Sequence, residues 1–345
     1  MRPALSSAPG SRWALVTSLG ALVAACATTP PTPPPPAPRW PASPEPSRII
    51  WAASFPDERA AGERPGFWRA FLDTILGLEE GPADGVASLL VRPFGLAATD
   101  QSLFVADPDG QRVVRIDWRT GAFTRLDCPQ PWKMPMAVAI GTDGAVYVAD
   151  GRAARVVRHR QGGCEELGAG ALTRPTGLAI VGEELFVVDP PTHQVVVFSL
   201  RGELRRRFGS RGDGEGQLNF PTAVTARPDG TLLIIDALHF SVAAFSPDGT
   251  PLMRFGQPGE RGGAFARPKG VAVDRRGRIY VTDAQLGVVL VFGADGRFDL
   301  AFGGSGREPY ELSLPAGIAV VDDKLFVADT YNHRVEMYDV LEGAP

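Results

Sequence analysis

The most constraining feature of this chain is a unit of 40–47 residues that is written six times. It opens with "RPFGLAATDQSLFVAD" at Arg92, "MPMAVAIGTDGAVYVAD" at Met134 and "RPTGLAIVGEELFVVD" at Arg174. It recurs as "FPTAVTARPDGTLLIID" at Phe220, "RPKGVAVDRRGRIYVTD" at Arg267 and "LPAGIAVVDDKLFVAD" at Leu314. The aligned prolines are Pro93, Pro135, Pro175, Pro221, Pro268 and Pro315, at spacings of 42, 40, 46, 47 and 47. Asp107, Asp150, Asp189, Asp236, Asp283 and Asp329 close the second apolar run of each unit. A chain organised in this way buries its core between copies of one supersecondary element.

Each unit holds short β-branched and aromatic runs separated by turn residues, among them Asp143-Gly144, Asp229-Gly230, Asp248-Gly249 and Asp295-Gly296. Four short antiparallel strands per unit is the content of a β-propeller blade. The last unit supplies three strands, near 318–320, 325–328 and 335–340. "RIIWAASF", Arg48–Phe55, has the character of the missing fourth strand. Pairing it with the last blade closes the ring and removes an open sheet edge. The expected fold is therefore an all-β propeller of six four-stranded blades, over residues 47–345, with blades starting near 92, 134, 174, 220, 267 and 314.

"RPKGVAVDRRGRIYVTD" (267–283) and "LFVADTYNHRVEMYD" (325–339) resemble the NHL repeat, and the resemblance extends over residues 92–345. It implies the propeller fold and says little about activity. Some NHL-like propellers, the peptide-amidating lyases among them, hold a His-liganded zinc in the central channel. Gluconolactonase-type propellers hold calcium on acidic and Asn side chains, a set that does not map onto this sequence.

The N-terminus reads as an address. Arg2 and Arg12 precede an apolar run from Trp13 to Ala25 that is too short for a membrane span. Val23-Ala24-Ala25-Cys26 resembles the bacterial lipobox, which implies cleavage after residue 25 and lipidation of Cys26. Ala27, where Asp would retain the protein in the inner membrane, implies the outer membrane, facing the periplasm. Ten of the 32 prolines lie between Pro30 and Pro46, so 26–46 reads as a polyproline tether. Fully extended, residues 27–46 reach roughly 60 Å.

Antiparallel pairing puts the links between blades and the connections from second to third strand on one face, here called upper. The link 56–91 is long and carries Phe67, Trp68, Phe71, Leu72, Ile75 and Leu76 at helical spacing, which predicts a short helical insert. Trp68 and Phe71, with His193, His239, Tyr331, Asn332 and His333, make up the expected upper-face ligand-binding set. The inter-blade loops 210–219 and 257–265 belong to the same surface. His193, His239 and His333 are the alternative set for a metal in the channel, zinc needing such neutral imidazoles to converge on one ion. His239 stands one alignment position earlier than the other two, which argues against convergence. The six Asp residues are expected to bond backbone N–H groups in their turns. Arg112, Arg155 and Arg334 are expected to tie loops together. Cys128 and Cys164 fall at opposite ends of neighbouring outer strands, and no disulfide is expected between them.

Net charge is −4, which argues against nucleic-acid binding as the main function. No phosphate loop, nucleophile elbow or HExxH motif occurs. The sequence therefore points to a membrane-anchored, monomeric binding or scaffolding propeller of the bacterial cell envelope, with a protein partner or other ligand and no catalytic residue or cofactor assigned. The alternative is a propeller lyase or lactonase with zinc or calcium in the channel.

Overall fold

The computed structural model describes residues 37–42, 44–55, 90–161 and 163–341. The expected insert, Trp68, Phe71, Cys26 and the leader lie outside these residues. Six antiparallel sheets form the blades of a propeller, five of them four-stranded and one with an extra strand. Blade four is representative: Pro221–Ala226, Leu232–Asp236, Ser241–Phe245 and Pro251–Phe255 run in order from the axis outward.

Burial follows position in the blade. The second strand of blade four, Leu232–Asp236, is fully buried along its length because both faces meet neighbouring blades. The fourth strand alternates between half-buried and exposed residues. Each core cluster forms between adjacent blades: Phe186, Val195 and Val197 of blade three, for example, pack on Leu232, Ile234 and Phe245 of blade four. At about 25 cal/mol per Å² of apolar surface removed from water, these inter-blade layers are the main stabilising element of the ring.

The ring closes as the sequence predicts. Ile49–Phe55 pairs antiparallel with Arg334–Val340, and the sheet order runs Arg39–Trp40, Ile49–Phe55, Arg334–Val340, Lys324–Asp329, Ile318–Val321. Arg39–Trp40 is a fifth strand that falls inside the expected tether. Its reason is the Trp40 ring, whose centroid lies 5.8 Å from Phe302, 6.3 Å from Tyr310 and 6.1 Å from Tyr338. Burying that indole outweighs the extended preference of the surrounding prolines.

The second correction concerns the cysteines. Cys128 and Cys164 are joined in a disulfide, with Cα atoms 5.7 Å apart. Leu126 still bonds Val113 at the end of blade one's ladder. Beyond it the chain leaves the ladder toward blade two, whose Cys164 Sγ lies 3.7 Å from the Asp127 carbonyl. Cys128 lies past the end of the fourth strand, Ala122–Arg125, in the link that crosses to blade two, so strand register does not set its position.

Candidate functional site

The aspartates that end the second strands are fully buried and act as clips. They accept hydrogen bonds of 2.6–3.0 Å from backbone N–H groups 15–17 residues upstream, where the link from the preceding blade arrives. Asp107, for example, holds Val91 and Arg92, and Asp189 holds Thr173 and Arg174. The expected turn bonds also occur, from Gln285 and Leu286 to Asp283. Arg112 and Arg334 pair with Asp107 and Asp329, at 2.9 and 3.0 Å. Arg334 also donates to the carbonyls of Arg307, Glu308 and Glu311. This is the loop-tying role expected of it.

The three upper-face histidines stay apart. His193 and His333 each occupy the left-handed position that ends a 3-10 turn, with φ of 57° and 60°. In blade four that position is Phe240, and His239 precedes it, as the alignment implies. The His193 Nδ1 accepts from Phe220 N at 3.0 Å, and the His333 ring bonds the Val91 carbonyl. His239 bridges Asp236 at 2.7 Å and Asp213 at 2.8 Å. Burial works against its charged form, but those two carboxylates outweigh it and raise the pKa above the usual imidazole value. Each ring is thus engaged on a separate blade, and among the described residues no three His, Cys, Asp or Glu side chains group as metal ligands.

Tyr331, half exposed, lies under the Arg92 guanidinium at 4.9 Å. Asn332 donates to the Gly306 carbonyl at 2.9 Å and to Asp329 at 2.7 Å, so its amide serves the framework. The loops expected to recognise a ligand are pinned as well. Parallel bridges join Arg211 to Leu218 and Pro258 to Phe265, and Leu218 and Phe265 are fully buried.

The space available on this face is elsewhere, at the axis. A cavity of about 360 Å³ opens at the upper mouth of the central channel, where all six first strands begin. Below it, the side chains that line the channel are apolar apart from Thr225. The residues that follow the repeated prolines line the mouth, one from each blade: Phe94, Met136, Thr176, Thr222, Lys269 and Ala316. The next residue is small in every blade because the backbones nearly touch there. A Cβ on Gly317 would sit 2.0 Å from the Phe94 carbonyl oxygen.

At the position after the repeated proline, the side chains of Thr222 and Lys269 are polar and lack partners among the described residues. Thr222 Oγ1 is buried without a hydrogen bond, whereas Thr176 Oγ1 donates to the Thr222 carbonyl at 2.8 Å. Lys269 makes no hydrogen bond or ion pair among the described residues. Burial, with the nearby Arg267 charge, lowers its pKa. Arg174 lines the same cavity, and among the described residues no carboxylate does. Of the sequence-derived set, His193, His239, Tyr331, Asn332 and His333 do not line this mouth. The signal for it was the variable residue after each repeated proline, a position that the repeat leaves free.

Comparison with known proteins agrees with the fold. Residues 312–336 match the NHL repeat. No curated protein sequence matches the chain. A virginiamycin B lyase from Staphylococcus aureus superposes with a TM-score of 0.56 at 12% identity, over 73% of this chain and 96% of that one. A gluconolactonase from Xanthomonas campestris gives 0.58 at 19%, over 73% and 87%. An auxiliary nutrient binding protein from Bacteroides thetaiotaomicron gives 0.58 at 12%, over 72% and 69%. At these identities the shared property is the propeller, a fold that hosts unrelated activities.

Proposed function

We propose that this chain is an envelope lipoprotein, anchored through Cys26, whose propeller binds a small ligand in the upper mouth of its channel. The observation that carries the reading is the cavity of about 360 Å³, a volume typical of small-ligand sites. All six blades wall it with mostly apolar side chains and a few polar groups. A binding role is favoured over a metal lyase or lactonase because the upper-face histidines and strand-end aspartates are individually committed to backbone and loop contacts. The lipobox-like Val23–Cys26 motif supports the anchor and the envelope address.

The test has two arms. Cys26→Ala should move the protein from the membrane to the soluble fraction. A small-molecule panel scored by thermal shift on the full chain should yield ligands whose effect disappears in Ala316→Phe, which fills the mouth. Ligands that act equally on that variant would place the binding elsewhere and sink the reading. A protein partner on the same face is the second reading, favoured by the exposed Phe220, Leu238 and Tyr331. One-to-one cross-linking in membranes, lost on Leu238→Ser, would support it.

A further inference from the structure

We infer that the ligand of the channel mouth is a small organic carboxylate with an apolar body, its carboxylate held by Lys269 and Thr222. This rests on the reading that the mouth is a ligand seat. Lys269 and Thr222 occupy the same repeat position in adjacent blades and line the same cavity. A half-buried ammonium without a counter-ion is unfavourable, and an arriving anion relieves that cost. The Thr222 side chain lines the cavity, and its hydroxyl, buried and unbonded, can donate to a carboxylate oxygen once χ1 turns it into the mouth. The neighbouring Thr176 hydroxyl is already engaged by the Thr222 carbonyl.

Charge and shape narrow the class further. With Lys269 and Arg174 on its wall and, among the described residues, no Asp or Glu, the wall of the mouth is positive on a chain whose net charge is −4. The remaining large side chains are Phe94, Met134, Met136 and Phe220, which suit an aryl or alkyl group. The methionines let the wall adjust to it. A sugar would find few polar partners here.

The experiment is calorimetric titration of the full chain in detergent with 4-phenylbutyrate and with its neutral amide. The acid should bind about tenfold or more tightly than the amide, the difference expected of a charge-assisted contact. Lys269→Met should bring the acid down to the affinity of the amide, and Thr222→Val should weaken the acid selectively. Both variants are to be checked for an unchanged melting temperature. Equal binding of acid and amide would overturn the carboxylate assignment and leave the seat standing. Displacement of the acid by inorganic phosphate at comparable concentration would also overturn it. Failure of both compounds to bind at millimolar concentration, together with inert neutral and cationic aryl analogues, would overturn the seat itself.

Discussion

Trp51 and Glu336 stand 285 positions apart in the chain, yet the indole N–H of Trp51 donates a 2.6 Å hydrogen bond to the Glu336 carboxylate. The Ser54 hydroxyl donates to the same oxygen at 2.7 Å. Side chains three apart on a regular strand face opposite ways. Here a register shift between Trp51 and Ala53 returns Ser54 to the side of Trp51. Glu336 is fully buried and shares the Arg334 guanidinium with Asp329, at 2.6 and 3.0 Å. The closing strand is therefore fastened to the last blade by a buried polar cluster as well as by its ladder.

Removing that carboxylate should loosen the closure. Glu336→Ala leaves the Trp51 and Ser54 donors without an acceptor and deprives Arg334 of one counter-charge. We expect a loss of about 2–4 kcal/mol in urea unfolding, with Glu336→Gln losing less because its amide oxygen still accepts. Equal stability of Glu336→Ala and the parent chain would show the latch to be idle.

The same cluster sets a pH dependence. Burial pushes the Asp329 carboxyl up to about 6, against the pull of the Ser313 N–H, Asn332 and Arg334. Burial likewise raises Glu336, against the pull of Arg334, Trp51 and Ser54. Between the unfolded value near 3.8 and about 6, the folded chain binds more protons than the unfolded one. This contribution to stability is present in full below the unfolded value and is lost as pH rises through about 6, with a slope of up to about 1.4 kcal/mol per pH unit. Asp329→Asn should flatten the dependence of the urea midpoint between pH 4 and 6, leaving the share carried by Glu336. An unchanged slope in that variant would rule out the assignment.

The Cys128–Cys164 bridge spans a sequence separation of 36 and links the outer parts of blades one and two. A loop of that length is worth ~2–4 kcal/mol in the chain-entropy model. Dithiothreitol, or Cys164→Ser, should lower stability by that order, measured by denaturant unfolding. Blades one and two should gain amide exchange ahead of blades four and five.

Gly317 tests the close approach of backbones at the axis. Its missing Cβ would meet the Phe94 carbonyl oxygen at 2.0 Å, and the next nearest atoms, of Phe94 and Gly95, are backbone too and leave little room to yield. Gly317→Ala should cost about 1–3 kcal/mol by forcing blades one and six apart. A neutral effect in thermal unfolding would mean that the ring breathes more readily than its packing implies.

The propeller was legible in the sequence because its determinants repeat locally. Pro at the start of the first strand, Asp at the end of the second and Asp-Gly turns fix strand boundaries within a few residues of themselves. The six-fold copy number then sets the closed ring. Even the one-position offset of His239 was visible, and it appears in the structure as the left-handed residue falling on Phe240. What the tertiary structure alone decided were relations between blades. The link that leaves blade one's ladder after Leu126 brings Cys128 to Cys164. The strand-end aspartates reach the incoming link 15–17 residues upstream, through space and not through a local turn. The channel mouth is assembled from one variable residue per blade, and Lys269 lacks a partner among the described residues because of what the other blades place around it. Patterns of period two and of period 40–47 are carried by the order of residues. Distances across a ring depend on how every blade packs against the next, and no single repeat contains that information.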